Sequence, residues 1–118
     1  MTVKECYDKI NGDYDEIVSR LGNEERVVRF SKKFFITGDI EGLEKSIDDN
    51  DGNNSFEYAH RLKGNSLNIG FSHFSKTVES LVEPLRCREI KDPGAINVLF
   101  SVVKEEYINM KEVFDQLD

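Results

Sequence analysis

Apolar residues recur along the chain at intervals of three and four residues, the spacing of one face of an amphipathic helix. The clearest of these stripes comprises Phe71, Phe74, Val78, Leu81 and Leu85. A second stripe, between residues 23 and 48, comprises Val27, Phe30, Phe34, Ile40, Leu43 and Ile47. A third stripe, interrupted by Glu106, comprises Ile96, Leu99, Val103, Met110, Val113 and Leu117. No strand pattern competes with these stripes, so the chain is predicted to be all-helical.

Turn-forming residues separate the predicted helices, which cover approximately residues 23–48, 54–69, 72–90 and 94–117. Gly38 and the residue after it are positions at which the first helix can bend or split. Asn54 or Ser55 is expected to cap the second helix, and Gly70 is expected to end it. Ser72 is expected to cap the third helix, and Asp92-Pro93-Gly94 precedes the last one.

The short connections favour antiparallel neighbours, so we predict an all-α, antiparallel four-helix bundle. Gly12-Asp13 and Gly22-Asn23 bound one or two further helical pieces upstream. This additional short N-terminal helical segment is expected to pack across one end of the bundle. A length of 118 residues suits one domain with one core. We therefore expect residues 1–118 to form a single domain, with the core bundle at about 23–117.

Composition narrows the class of protein. Charged residues make up 33% of the chain and hydrophobic residues 38%, which suits a folded globular protein. The net charge of −7 would repel nucleic-acid phosphates and anionic membranes, so neither is expected as a partner. No apolar run approaches the ~20 residues that span a bilayer, and no signal peptide is evident. Cys6 and Cys87 form no disulfide framework, so we expect a cytoplasmic protein with reduced thiols. We also expect a monomer.

The segment from Ser55 to Gly70 carries the candidate chemistry. At about 100° per residue, Lys63, Gly64 and Leu67 lie within about 60° of His60 around the helix axis. The apolar and small residues of the segment lie on the other sides, so His60 is expected to point away from the core.

This arrangement suits a phosphoryl acceptor. A neutral imidazole offers a nitrogen lone pair near neutral pH. Lys63, one turn further on, could reach an attached phosphoryl group and offset its charge. A mid-helix glycine costs ~1 kcal/mol relative to alanine. Close approach of a partner beside the imidazole would explain why Gly64 is kept despite that cost.

Residues 59–70, AHRLKGNSLNIG, resemble the histidine-containing phosphotransfer (HPt) family, whose pattern is roughly A-H-x-L-K-G-x-[SA]-x-x-[ILV]-G. All marked positions are matched. The resemblance implies a four-helix bundle with an exposed histidine and a place in a multistep His–Asp phosphorelay. It implies that His60 is the phosphoacceptor, Lys63 the phosphate-side partner and Gly64 the access position. The implied partners are response-regulator receiver domains and a hybrid sensor histidine kinase.

Phe56 and Leu67 flank His60, and Leu67 is bulkier than the small residue expected there. They are either an apolar docking patch for the partner or partly buried against neighbouring helices. His73, the second histidine, is expected at the surface without a role in transfer. The next helix carries three charged residues that are expected to be solvated or to rim the patch: Glu79, Glu83 and Arg86.

The chain lacks a glycine-rich phosphate loop, a kinase nucleotide-binding signature and an Asp cluster for Mg²⁺. We therefore expect a phosphocarrier without autonomous kinase activity, cofactor or metal of its own. Glu57 and His60 are expected to form a solvated pair rather than a metal site. An HPt-like module that binds a receiver without carrying phosphate is the main alternative. A dimerising domain of a histidine kinase fits less well, because the ATP-binding half is lacking.

Overall fold

The computed structural model describes residues 1–118 and contains helices but no strand. The helices are α1 (Val3–Lys9), α2 (Tyr14–Leu21), α3 (Glu24–Phe34), α4 (Asp39–Asp48), α5 (Gly52–Asn68), α6 (Ser72–Leu85) and α7 (Pro93–Phe114). In the bundle, α5 packs between α4 and α6, and α7 contacts both α6 and α4. The molecule is elongated, with principal extents of 43 × 23 × 20 Å. The predicted all-α bundle with an extra N-terminal helical segment is confirmed.

The predicted helix at about 23–48 is in fact two helices. α3 ends at Phe34, and α4 begins at Asp39 after a short connection. Gly38 between them has a φ of +78°, a left-handed conformation that glycine adopts without steric cost and that interrupts a helix. The two helices have different main neighbours, since α3 packs mainly against α1 and α2, whereas α4 packs against α5 and α7. Phe34 at the end of α3 also contacts the rings of Phe74 and Tyr107.

The start of α5 differs from the prediction by two residues. Asp51 is the N-cap, and its carboxylate accepts a hydrogen bond from the backbone N–H of Asn54 at 3.0 Å. Ser55 is not a cap but a buried residue, and its hydroxyl lies 3.0 Å from the Ser46 hydroxyl of α4. The small polar pair lets α4 and α5 approach closely.

The two ends of α6 also differ from the prediction. Ser72 is the first helical residue rather than the cap, and its hydroxyl donates to the backbone carbonyl of Asn11 at 3.2 Å. Phe71 takes the N-cap position with no side-chain hydrogen bond. α6 ends at Leu85 instead of residue 90, and Arg88 then adopts a φ of +61° that no helix can continue through.

The N-terminal helices are part of the same core as the bundle. Tyr7 of α1 is fully buried, and its hydroxyl donates to the backbone carbonyl of Ile69 at 2.6 Å. Its ring contacts those of Phe71 and Phe114 edge-on or tilted, at centroid distances of 5.5 and 5.7 Å. Desolvation raises the pKa of Tyr7 well above its ordinary value. The N-terminal segment is therefore held against the end of the bundle.

The core confirms the stripe from Phe71 to Leu85, all of whose members are fully buried. The other two stripes are only partly right. Phe30 of α3 is exposed, because the buried face of α3 runs through Val27, Ser31 and Phe34 instead. On α7 the buried face is shifted and includes three aromatic residues that the stripe omitted: Phe100, Tyr107 and Phe114. None of the helices combines the length and apolar character that a membrane crossing requires.

Candidate functional site

α5 has one face in the core and one face in solvent, and His60 lies on the solvent face. Ala59, Leu62 and Ser66 are buried, and the Ser66 hydroxyl donates to the Leu62 carbonyl at 2.6 Å. His60 is exposed, midway along the helix. Because the buried residues hold α5 between α4 and α6, the imidazole is carried on a fixed backbone.

Polar contacts beside His60 also fix the rotation of α5 against α4. Asp39, the first residue of α4, is almost fully buried. Its carboxylate accepts a hydrogen bond from the Asn65 side-chain amide at 3.1 Å and pairs with the Arg61 guanidinium at 3.4 Å. Arg61 and Asn65, both within residues 59–70, therefore help to orient the helix that carries His60.

Phe56, one turn before His60, stacks on the imidazole. The two ring centroids are 5.6 Å apart and the ring planes are inclined by 23°. The Arg88 guanidinium lies over the Phe56 ring, 4.6 Å from its centroid. Arg88 also pairs with Glu57 at 2.7 Å, so the expected pairing of Glu57 with His60 is replaced by one with Arg88. Phe56 is therefore half-buried between the His60 imidazole and the Arg88 guanidinium and is not a free apolar patch.

Lys63, one turn after His60, is paired with a carboxylate of α6. Its ammonium group contacts the Glu79 carboxylate, which also lies 3.4 Å from the Arg86 guanidinium. The Lys63 ammonium group, supported by the charge of the Arg86 guanidinium, lowers the pKa of Glu79 to about 2. Glu79 is partly buried rather than freely solvated, whereas Glu83 and Arg86 remain exposed.

The surface beside Gly64 is open. A Cβ atom built on Gly64 would meet no atom within 4 Å, apart from the backbone of its own helix. By contrast, a Cβ on Gly52 would lie 2.5 Å from the Arg88 carbonyl oxygen, and one on Gly42 would lie 2.5 Å from the Tyr58 ring. Leu67, on the same side of α5, is 49% exposed. Gly64 is therefore not required for packing within the chain.

His73 lies away from these residues, near the start of α6. Its Nδ1 atom is 2.9 Å from a carboxylate oxygen of Glu106 on α7, and the ring is exposed. The other carboxylate oxygen of Glu106 accepts a hydrogen bond from the Thr77 hydroxyl at 2.6 Å. Glu106 interrupts the apolar stripe of α7 because it serves these two polar groups of α6.

No cluster of three or more His, Cys, Asp or Glu side chains in the molecule could hold a metal ion. Burial raises the pKa of the Cys6 thiol, while Cys87 is exposed.

The candidate site around His60 therefore consists of an imidazole, the Lys63 ammonium group, the Arg88 guanidinium that covers Phe56, and an open surface over Gly64. It offers an accessible nucleophile.

Sequence reasoning did not find Arg88. The residue lies far from His60 along the chain, and a lone arginine after a helix carries no spacing signal. The only hint is that a short turn joins α5 to α6 as antiparallel neighbours, so that residues after Leu85 lie near the start of α5. The pairing of Lys63 with Glu79 was also missed, since it depends on the angle between two helices.

Comparison with known proteins supports one assignment. The model of the Hpt domain family matches residues 36–113, about two thirds of the chain, from just before α4 to near the end of α7. Comparisons with curated proteins and with solved structures gave no match. The chain therefore belongs to the Hpt domain family, whose members are phosphocarriers of His–Asp phosphorelays rather than enzymes.

Proposed function

We propose that His60 accepts a phosphoryl group from an aspartyl phosphate of a receiver domain and passes it to an aspartate of a second receiver. The observation that carries this proposal is the exposed imidazole on a rigid helix, with Lys63 one turn away and unoccupied space over Gly64. The other histidine, His73, is also exposed on a helix, but its Nδ1 atom lies 2.9 Å from Glu106, and the residue at the position that corresponds to Gly64 is Thr77.

In the first step a neutral ring nitrogen of His60 attacks phosphorus in line with the aspartyl oxygen. The new nitrogen–phosphorus bond forms as the phosphorus–oxygen bond breaks, and the aspartate leaves as a carboxylate. The second ring nitrogen keeps its proton. The imidazole can therefore act as the leaving group when the phosphoryl group is passed to the second aspartate. The receiver supplies the Mg²⁺ and carboxylates, and α5 supplies a positioned nucleophile.

Lys63 would stabilise the transferred group. In the resting protein its ammonium group is paired with Glu79. A lysine side chain has four flexible methylene groups, so the ammonium group can turn from Glu79 towards a phosphoryl oxygen one turn away. The phosphoryl group would then compete with Glu79 for the same cation.

The receiver would dock over the surface formed by His60, Gly64 and Leu67, with Phe56 at its edge. Leu67 offers an exposed apolar side chain, and Gly64 lets the receiver's active-site loops come close to the imidazole. Exposed apolar side chains beside a reactive group are typical of a protein interface. We also propose that residues 1–118 act as one domain, because a single cluster of buried side chains joins α1 to α7.

Phosphorylated receiver domains test the proposal. A panel of receivers carrying labelled aspartyl phosphate would be mixed with the parent protein, with His60→Gln and with His73→Gln. Acid-labile label should appear on the parent and on His73→Gln but not on His60→Gln. Label that survives His60→Gln would contradict the assignment. A receiver that binds the parent tightly yet never transfers label would favour an interaction module.

A further inference from the structure

We infer that Arg88, in the loop between α6 and α7, is a positioning residue for His60. Its guanidinium holds the Phe56 ring against the imidazole and so limits the directions in which the ring nitrogens point. The inference rests on the proposed role of His60 and adds to it a residue from another part of the chain.

Arg88 makes three contacts on the first two turns of α5. One guanidinium nitrogen pairs with Glu57 at 2.7 Å, and another donates a hydrogen bond to the Asn53 side-chain oxygen. The guanidinium carbon lies 4.6 Å from the centroid of the Phe56 ring. The planar fork of the guanidinium is fixed at two nitrogens, so the face that covers Phe56 has a defined orientation.

The backbone of the loop is also held in place. The N–H of Arg88 donates to the Leu85 carbonyl at 2.8 Å, and the residue has a left-handed φ of +61°. The loop lies so close to Gly52 that an added Cβ there would be 2.5 Å from the Arg88 carbonyl oxygen. A side chain that begins from a fixed backbone and ends in two polar contacts has little freedom left.

The consequence for His60 passes through Phe56. The imidazole of an exposed histidine can rotate about two side-chain bonds, and in-line attack requires one ring nitrogen to face phosphorus. Stacking with Phe56, at 5.6 Å and 23°, favours one ring orientation. If Arg88 were lost, Phe56 would gain rotational freedom, and the imidazole would spend less time in that orientation.

Proton NMR of the imidazole rings gives a readout that a purely structural role would not move. The chain has two histidines, so His73→Gln assigns the ring signals, and those of His73 serve as an internal reference. Phe56→Leu gives the position of the His60 signals without a stacked ring. In Arg88→Ala the His60 signals should move towards that position, while the His73 signals stay. Transfer from a phosphorylated receiver should slow by about two- to tenfold, the effect of weakening one aromatic contact.

Arg29→Ala is the matched control. Arg29 also covers a phenylalanine, with its guanidinium carbon 5.3 Å from the Phe30 centroid, but on α3. That variant should change neither the histidine signals nor the transfer rate. Parental His60 signals in Arg88→Ala would overturn the inference, as would shifted signals with a parental transfer rate. Labelling that does not require His60 would refute the proposed function instead, and the NMR comparison would still decide whether Arg88 orients the ring.

Discussion

Substitutions of Gly64 test whether this glycine is needed for folding or for the approach of a receiver domain to His60. Gly64 lies mid-helix, and an added Cβ would meet no atom of another part of the chain within 4 Å. Its φ is not positive, so L side chains fit the backbone. Alanine in a helix interior is favoured over glycine by ~1 kcal/mol, and glutamine is close to alanine. For a domain of this size, that gain raises the melting temperature by about 3–5 °C. Gly64→Ala and Gly64→Gln should therefore melt at or above the parental temperature.

Transfer should change in the opposite direction. The glutamine side chain would stand one turn from the imidazole, where the receiver must bring phosphorus within bonding distance of a ring nitrogen. A displacement of about 1 Å from the reactive geometry can cost about 100-fold in rate. We expect Gly64→Gln to transfer phosphate about 10- to 100-fold more slowly than the parent, and Gly64→Ala to be affected less.

The assay combines thermal melting with single-turnover transfer from a phosphorylated receiver. Gly52→Ala is the matched control on the same helix, because its Cβ would lie 2.5 Å from the Arg88 carbonyl oxygen and 2.6 Å from the Glu89 Cα. Forcing that backbone apart should lower the free energy of unfolding by about 1–3 kcal/mol. If Gly64→Gln melts far below the parent, Gly64 is needed for folding. If it melts normally and transfers at the parental rate, the access argument is refuted.

Lys63→Ala should have a free energy of unfolding within ~1 kcal/mol of the parental value, because its partner Glu79 is a partly exposed carboxylate. The variant should nevertheless transfer phosphate more slowly. A large fall in its melting temperature would show instead that Lys63 has a structural role. Glu79→Gln should be less stable than the parent above pH ~4.5, and this difference in stability should vanish towards pH 2. The reason is that a carboxylate with a lowered pKa in the folded state contributes stability that is lost on acidification. Unfolding curves recorded at a series of pH values would check this. ATP and Mg²⁺ without a kinase should leave His60 unlabelled, and any label would contradict this.

Helical periodicity predicted the fold well where one face of a helix is buried along its whole length. The stripe of α6 is an example, because α6 lies between α5 and α7. Periodicity failed where a helix has different neighbours at its two ends. Phe30 follows the spacing of the second stripe but is exposed, since α3 is a separate helix from α4 and its buried face runs through Ser31 and Phe34. The split could be suspected from Gly38, but not the direction in which α3 leaves.

Only the part of the candidate site that lies on α5 itself could be predicted from the sequence. The angular positions of His60 and Gly64 around the α5 axis follow from residue spacing, because both residues lie on the same helix. Contacts from other elements do not follow from spacing. Glu79 reaches Lys63 from α6, and Arg88 reaches Phe56 from a loop. These contacts depend on helix crossing and on where α6 ends, which differed from the prediction by five residues.

The cations around His60 suit a group that must leave as readily as it arrives. Lys63 is paired with Glu79, and Arg88 is paired with Glu57. Charge-assisted hydrogen bonds from two unpaired cations would hold a phosphoryl group strongly on the imidazole. Such binding would stabilise the phosphorylated intermediate more than the transition state and so slow the second transfer. Because Lys63 must leave Glu79 to reach the phosphoryl group, part of that stabilisation is offset. Arg88 stays on Glu57 and Phe56 and adds no further hold on the phosphoryl group. On the proposed function, a cation that is already paired suits a carrier that must release the phosphoryl group again.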